Sequence, residues 1–290
     1  TKCIVLKKAK ILTLRFSMTT TSYLNPHLTQ EWNDWLNTNI SNGVEITTLA
    51  KTLEQHGYHI AVGDLLKNYQ IDIKHPQIDL SKNFIDIDNR RIPIIFTAQA
   101  PKVVVFDNFL SHEECQQLIA CAEDKFQTAT VVNAQTGEYF TTTERTNMNA
   151  VFQRQENAIV SVLESRIAKV LNFPIDNGEG LQILRYHSGG EYKPHFDFFD
   201  TTKAGGQKAI EIGGQRVATF LTYLSDVESG GATRFPSANC EIRPKEGMAL
   251  YFSNILLNNN PDPLSLHSSV PVITGTKYIA TKWLRQYPYG

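Results

Sequence analysis

The segment Tyr192-Lys193-Pro194-His195-Phe196-Asp197-Phe198 sets an imidazole and a carboxylate two residues apart. On an extended strand such residues project from one face, so His195 and Asp197 are expected together, with Phe196 and Phe198 on the other side. They offer two ligands of a metal site. His267, far along the chain in another apolar strand-like segment, could close a triangle with them. Two histidines and one carboxylate leave coordination positions open, as in non-heme Fe(II) oxygenases, whereas structural zinc takes a closed set of four. A His-x-Asp pair alone is weak evidence, because such pairs are commonly hydrogen-bonded or surface pairs.

A second group of residues adds weight. Lys277 follows the turn Thr274-Gly275-Thr276, and the strand continues through Ile279, Thr281 and Trp283 on the same face. A lysine among apolar and aromatic groups needs an anion or suffers a heavy desolvation cost. A dicarboxylate cosubstrate would supply that anion; the bland alternative is a stem that snorkels to water.

The elements that must position these residues can be read from periodicity. Residues 25–70 read as helical: Asn25-Pro26 precedes a stripe of Trp32, Trp35 and Leu36, and Ile46, Leu49 and Leu53 form a second stripe ending at His56-Gly57. A third short helix is expected over Ala61 to Tyr69. These helices are too few for a robust core of their own and are expected to pack on the rest. Residues 71–100 form a connecting segment in which Ile71 and Ile73, Ile78 and Leu80, and Ile85 and Ile87 have the period of half-buried strands. Residues 101–106 make a further strand. Ser111 caps a helix whose apolar face is Cys115, Leu118, Ile119 and Ala122, with capping-box spacing to Glu114. Residues 156–170 form a second amphipathic helix. From Leu181 onward strands dominate: Leu181 to Tyr186, Tyr192 to Phe198, Val217 to Leu224, Met248 to Phe252, Ser265 to Val272 and Tyr278 to Leu284. The pattern predicts an α+β domain with a sheet sandwich or barrel at its centre.

Composition narrows the class. At 41% hydrophobic and 20% charged residues, the 290-residue chain lies well outside the disordered regime. A net charge of −1 and the lack of a basic stripe argue against nucleic acid and anionic membrane surfaces as partners. No apolar run approaches the ~20 residues a membrane span needs. Cys3, Cys115, Cys121 and Cys240 match neither a zinc knuckle nor a disulfide framework, so free thiols and a cytoplasmic location are expected. Residues 1–17 are basic and lack the unbroken apolar core, of about 7–15 residues, of a secretory signal. They are expected to be upstream-translated or non-native sequence, with Met18 as the natural start.

Taken in order, these segments resemble prolyl 4-hydroxylases. The stretch 181–197, with Leu181-Gln182-Ile183-Leu184-Arg185-Tyr186 leading to His195-Phe196-Asp197, is similar to the family's iron-binding segment. Arg216-Val217-Ala218-Thr219-Phe220 and then Gly230-Gly231-Ala232-Thr233-Arg234-Phe235-Pro236 resemble its central strand and glycine turn. Leu266-His267-Ser268-Ser269, Gly275-Thr276-Lys277 and Thr281-Lys282-Trp283 resemble its closing segment. The likeness covers roughly residues 101–287, making 101–290 the expected catalytic domain and 18–70 a helical N-terminal region. That region vaguely resembles an extension of bacterial members and not the peptide-binding repeat domain of the animal collagen enzymes.

The resemblance implies a double-stranded β-helix, or jelly roll, with supporting helices. It implies Fe(II), 2-oxoglutarate and O₂, with ascorbate in support, and hydroxylation of peptidyl proline at C4 with release of succinate and CO₂. By position His195, Asp197 and His267 match the iron ligands. Lys277 and Thr233 match the residues that hold the distal carboxylate of 2-oxoglutarate, Tyr186 a tyrosine that reaches it, and Trp283 an aromatic beside the site. Arg145, Glu179, Tyr192 and Arg216 resemble the peptide-contacting set. Two positions depart from the family: Arg-Thr-Asn at 145–147 stands for Arg-Thr-Ser, and Arg285 stands where several members carry histidine. Both bear on substrate choice more than on chemistry. The loops 133–145 and 199–215 are candidate lids, with Gly205-Gly206 and Gly213-Gly214 as hinges. Two rival readings are a same-cofactor enzyme acting on a free amino acid or nucleic acid, and an inactive peptide-binding module. The N-terminal helices offer a surface for docking or homodimerisation.

Overall fold

In the computed structural model, which describes residues 25–41, 46–60, 64–65, 75–133 and 135–290, the period-two pattern after Leu181 is realised as antiparallel strands. The protein is a mixed helix-and-antiparallel-sheet structure that divides into two compact units between residues 71 and 72. The expected third helix over 61–69, the Ile71 and Ile73 pair and the segment around Met18 lie wholly or largely outside the described residues.

The first unit contains the helices Gln30–Ser41 and Ile46–Gln55. Their stripes bury Leu36, Ile40, Leu49 and Leu53 in a small apolar cluster, with Trp32 edge-on to Trp35. Buried Asn33 donates to the carbonyls of Asn25, Leu28 and Thr29 and accepts from the Asn25 amide, closing the turn that starts the first helix.

The second unit carries two main sheets and, among the described residues, two smaller two-stranded ones. A nine-stranded sheet runs in the order Phe84–Ile87, Arg90–Gln99, Lys102–Phe106, Ala249–Ser253, Arg216–Tyr223, Lys277–Arg285, Leu181–Tyr186, Met148–Phe152 and Gln127–Thr128. A four-stranded sheet runs in the order Cys240–Ile242, Thr233–Phe235, His267–Ser269 and Tyr192–His195. The strand pairs before Lys102 thus extend the large sheet.

Alternation along each strand separates two cores. Ile183, Phe220, Ala280 and Leu284 face the helices His112–Ala122 and Ala158–Leu171. Leu184, Leu221, Leu250 and Ile279 join Phe235 of the small sheet in a second core. The first helix has the expected capping box, the Ser111 hydroxyl accepting from the Glu114 amide and the Glu114 carboxylate from the Ser111 amide. Glu114 also pairs with Arg166, tying the two helices together.

Four local expectations need correction. The strand from Tyr192 ends at His195, so Asp197 sits in a bend beyond it. The segment 265–272 is two strands, His267–Ser269 and Val272–Thr274, in different sheets, because it bends at Val270-Pro271, where proline cannot donate to a ladder. Residues 78–80 are not a strand. The polar run 133–145 contains the second half of a hairpin pairing Val131–Val132 with Tyr139–Phe140.

Phe220 is wholly buried, with the rings of Phe109 and Phe106 at 4.8 and 5.9 Å. Phe220→Ala is expected to lower the unfolding free energy by about 3–5 kcal/mol in urea titration. Folded molecules should keep the cavity side intact, because Phe220 points away from Thr219 and Leu221.

Candidate active site

The pairing of His267–Ser269 with Tyr192–His195 places His267 directly opposite His195. Their ring centroids are 4.4 Å apart. Asp197 then turns back toward the pair: its Oδ1 lies 3.8 Å from His195 Nε2 and its Oδ2 3.6 Å from His267 Nε2. One ligand atom from each residue falls within 4.8 Å of the others, and among the described residues this is the one such cluster.

The supporting bonds set the chemistry of these atoms. Each histidine Nδ1 lies against the carbonyl two residues earlier, Lys193 at 2.7 Å and Ser265 at 2.9 Å. A carbonyl only accepts, so Nδ1 carries a proton and Nε2 is the atom turned toward the carboxylate. Burial, followed by the neighbouring His267, pushes His195 down to about 3. Burial alone would raise Asp197, but His267, His195, Arg216 and the Thr219 hydroxyl outweigh it and hold the carboxyl at about 2. Thr219 Oγ1 donates to Asp197 Oδ2 at 2.6 Å and accepts from Asn254 Nδ2 at 3.1 Å. A neutral His195 and an ionised Asp197 are unprotonated donors of the kind a divalent cation requires, His267 Nε2 faces the same point, and the set suits Fe(II).

Behind the triad, a narrow cavity of about 40 Å³ runs between the sheets to Lys277. Lys277 is fully buried, and its Nζ donates to Ser269 Oγ at 2.9 Å. Tyr186, its cross-strand partner, and Tyr223 present their rings at 5.1 and 5.8 Å from Nζ. Among the described residues no carboxylate pairs with it. Thr233, opposite Ser269, lines the same end and accepts from the Tyr223 hydroxyl at 2.7 Å. A buried ammonium bonded only to a hydroxyl is a built site for a carboxylate.

The outer cleft, about 530 Å³, opens from the triad toward solvent. Arg216 lies 3.8 Å above the Trp283 ring and makes a two-bond contact with Glu179, at 2.6 and 2.8 Å. Arg145 is fixed by Asn147 Oδ1 and the Thr130 carbonyl and stands over the Tyr192 ring, which stacks on His195 at 3.5 Å. Tyr186, Thr233 and Lys277 therefore meet in the inner cavity. Glu179 and Arg216 line the outer cleft, and Arg145, Tyr192 and Trp283 border both spaces. Sequence reasoning missed Ser269, Thr219 and Asn254. Ser269 carried a signal, standing two residues after His267 on one face; Asn254 carried none.

Burial lowers Lys277 from 10.5 to about 7. The unfolded chain therefore binds more protons between these values, and stability rises with pH across the window. Below pH 7 the full cost of burying the charge is present. Lys277→Met is expected to stabilise the ligand-free protein by about 1–4 kcal/mol at pH 6, with a smaller gain at pH 10, by urea titration. A loss of stability at pH 6 would contradict this account of the lysine.

Comparison with known proteins places the chain in a family. The family model described as the 2OG-Fe(II) oxygenase superfamily matches residues 181–285. Prolyl 4-hydroxylase 5 of Arabidopsis thaliana is 37% identical over 208 residues, covering 65% of this chain and 70% of that protein. Prolyl 4-hydroxylase 1 of the same plant is 35% identical over 233 residues, covering 75% and 80%. A solved viral collagen prolyl hydroxylase from Paramecium Bursaria Chlorella virus-1, in complex with 2OG, superposes with a TM-score of 0.50 at 27% identity, covering 63% of this chain and 95% of that one. On this likeness, which spans the triad, the lysine and the strands that carry them, the chain belongs to the prolyl 4-hydroxylase family of Fe(II)- and 2-oxoglutarate-dependent oxygenases.

Proposed function

We propose that the protein hydroxylates peptidyl proline at C4, consuming 2-oxoglutarate and O₂ and releasing succinate and CO₂. The observation that carries this reading is the pairing of two features in one cavity. A two-histidine, one-carboxylate set stands at its mouth, and a buried lysine without a carboxylate partner stands at its closed end. The two sheets on either side of that cavity are read as a double-stranded β-helix. Residues 101–290 are the catalytic domain, with the strands Phe84–Ile87 and Arg90–Gln99 of the 71–100 segment extending its large sheet.

When bound, Fe(II) would supply oxygen activation and the oxidising power for the C–H bond. The protein's own contributions are binding, orientation and exclusion of water. His195, Asp197 and His267 hold the metal through Nε2, a carboxylate oxygen and Nε2. Lys277 Nζ takes the distal carboxylate of 2-oxoglutarate, with Tyr186, Thr233 and Ser269 beside it. Leu184, Leu221 and Ile279 keep the chain between them dry. Arg145, Tyr192, Glu179 and Arg216 orient a proline-containing peptide across the outer cleft, with Trp283 against the reacting residue. Ascorbate would keep the metal reduced. Among the described residues no helix is long and apolar enough to cross a membrane. A cytoplasmic setting, a homodimer and the N-terminal helices as its docking surface complete the reading. The mixed acidic, basic and aromatic lining of the cleft, with Glu179 and Asp200 beside Arg216, favours a peptide over nucleic acid.

His195→Ala and Asp197→Ala should each abolish succinate formation; near-wild-type output from either would refute the assignment. Lys277→Met should weaken 2-oxoglutarate binding by about 2–5 kcal/mol, measured by calorimetry, while Mn(II) still binds. Lys277 must be protonated to hold a carboxylate, and its value near 7 means that binding above that pH takes up a proton. Affinity for 2-oxoglutarate should therefore fall as pH rises from 7 to 9, and a flat profile would count against Lys277.

A further inference from the structure

Arg285 is 2% exposed and lies behind the outer cleft. A guanidinium offers donors in a fixed fork and no acceptor, so its burial is tolerable only where several acceptors converge. Its Nη2 donates to the carbonyls of Ala209 and Ile212, at the end of the short helix Ala204–Ala209 and in the turn after it. Its Nη1 faces Glu179 Oε1 at 3.3 Å, and its guanidinium carbon lies 5.1 and 4.9 Å from the ring centres of Phe199 and Tyr289. Glu179 is the carboxylate that also holds Arg216 against Trp283. One acidic side chain thus stands between an arginine in the cleft and an arginine pinning the segment that walls it.

The same segment is closed at its neck. The Gln215 side chain accepts from the Phe199 amide and donates to the Phe199 carbonyl, both at 2.7 Å. Three of the glycines expected as hinges, Gly206, Gly213 and Gly214, are sites of close packing. A Cβ on Gly206 would lie 1.9 Å from the Asp200 carbonyl oxygen, and one on Gly213 would lie 2.8 Å from Tyr289 and 3.2 Å from Arg285 Nε. Asp200, Lys203, Gly205 and Gly206 of this segment line the outer cleft.

We infer that residues 200–214 form a fixed wall of the peptide cleft and not a swinging lid, and that Arg285 is the positioning residue that fixes it. Through Glu179 it sets the same register for Arg216. The inference rests on reading the outer cleft as the peptide site. It accounts for arginine at 285: a shorter imidazole has too few donors to reach two carbonyls and a carboxylate together.

Limited trypsin digestion tests the anchor without substrate, because Lys203 and Lys208 are exposed cleavage points on the wall. Arg285→Ala should speed cleavage there about tenfold or more by raising local opening. With poly-L-proline as probe, its KM should rise about tenfold, while peptide-independent 2-oxoglutarate turnover stays within about twofold of wild type. Arg285→Lys, which keeps the charge but not the fork, should fall between, and it carries the same comparison if the alanine variant does not fold. Wild-type cleavage rates in the variants would overturn the anchor. So would an unchanged peptide KM, or a loss of uncoupled turnover equal to the loss of hydroxylation. Should the wild-type protein leave poly-L-proline unmodified, the proposed function fails, and the digestion still decides whether Arg285 holds the wall.

Discussion

A lysine ammonium buried between two sheets, with a hydroxyl as its hydrogen-bond partner, is the constraint from which the site follows. Such a charge raises the energy of the ligand-free fold unless an anion arrives. The fold retains Lys277 at the closed end of a cavity whose mouth carries ionised Asp197 beside His195 and His267. A dicarboxylate entering this space has one end for the lysine and one for a metal. Its orientation is settled before any substrate is present, a preorganisation that fixed groups provide without rearrangement during reaction.

Sheet alternation delivers these groups and also isolates them. Along Lys277–Arg285, odd positions supply Lys277, Ile279, Thr281 and Trp283 to the cavity, and even positions face the supporting helices. Lys282, on the even side, pairs with buried Glu164 and donates to the Glu179 carbonyl. The strand that lines the inner cavity therefore also fixes, from behind, the backbone of the residue that holds Arg216. Packing, cavity and outer cleft share one element, which explains how the outer wall can be held in step with the inner site.

Much of this was legible in the sequence because it depends on local period. The triad, Lys277, the capping box at Ser111 and the strand Leu181–Tyr186 follow from spacing or from motifs in order. What was not legible depends on which strands come together. Thr219 reaches Asp197, and Asn254 reaches Thr219, only because Arg216–Tyr223 pairs with Ala249–Ser253. Asp197 itself was expected on the strand and lies in a bend, and its approach to His195 comes from that turn. The glycine pairs of 199–215 read as hinges because glycine permits both freedom and close approach, and only packing distinguishes the two.

The central claim is that one cavity couples 2-oxoglutarate decarboxylation to oxygen insertion at proline. Its most direct test is mass spectrometry of a reaction run under isotopically heavy O₂ with Fe(II), 2-oxoglutarate and a proline-rich peptide. The structure predicts one heavy oxygen on proline C4 and one in succinate, formed in equal amounts. Consumption of 2-oxoglutarate with no label on any peptide proline, or label at proline without labelled succinate, would contradict it.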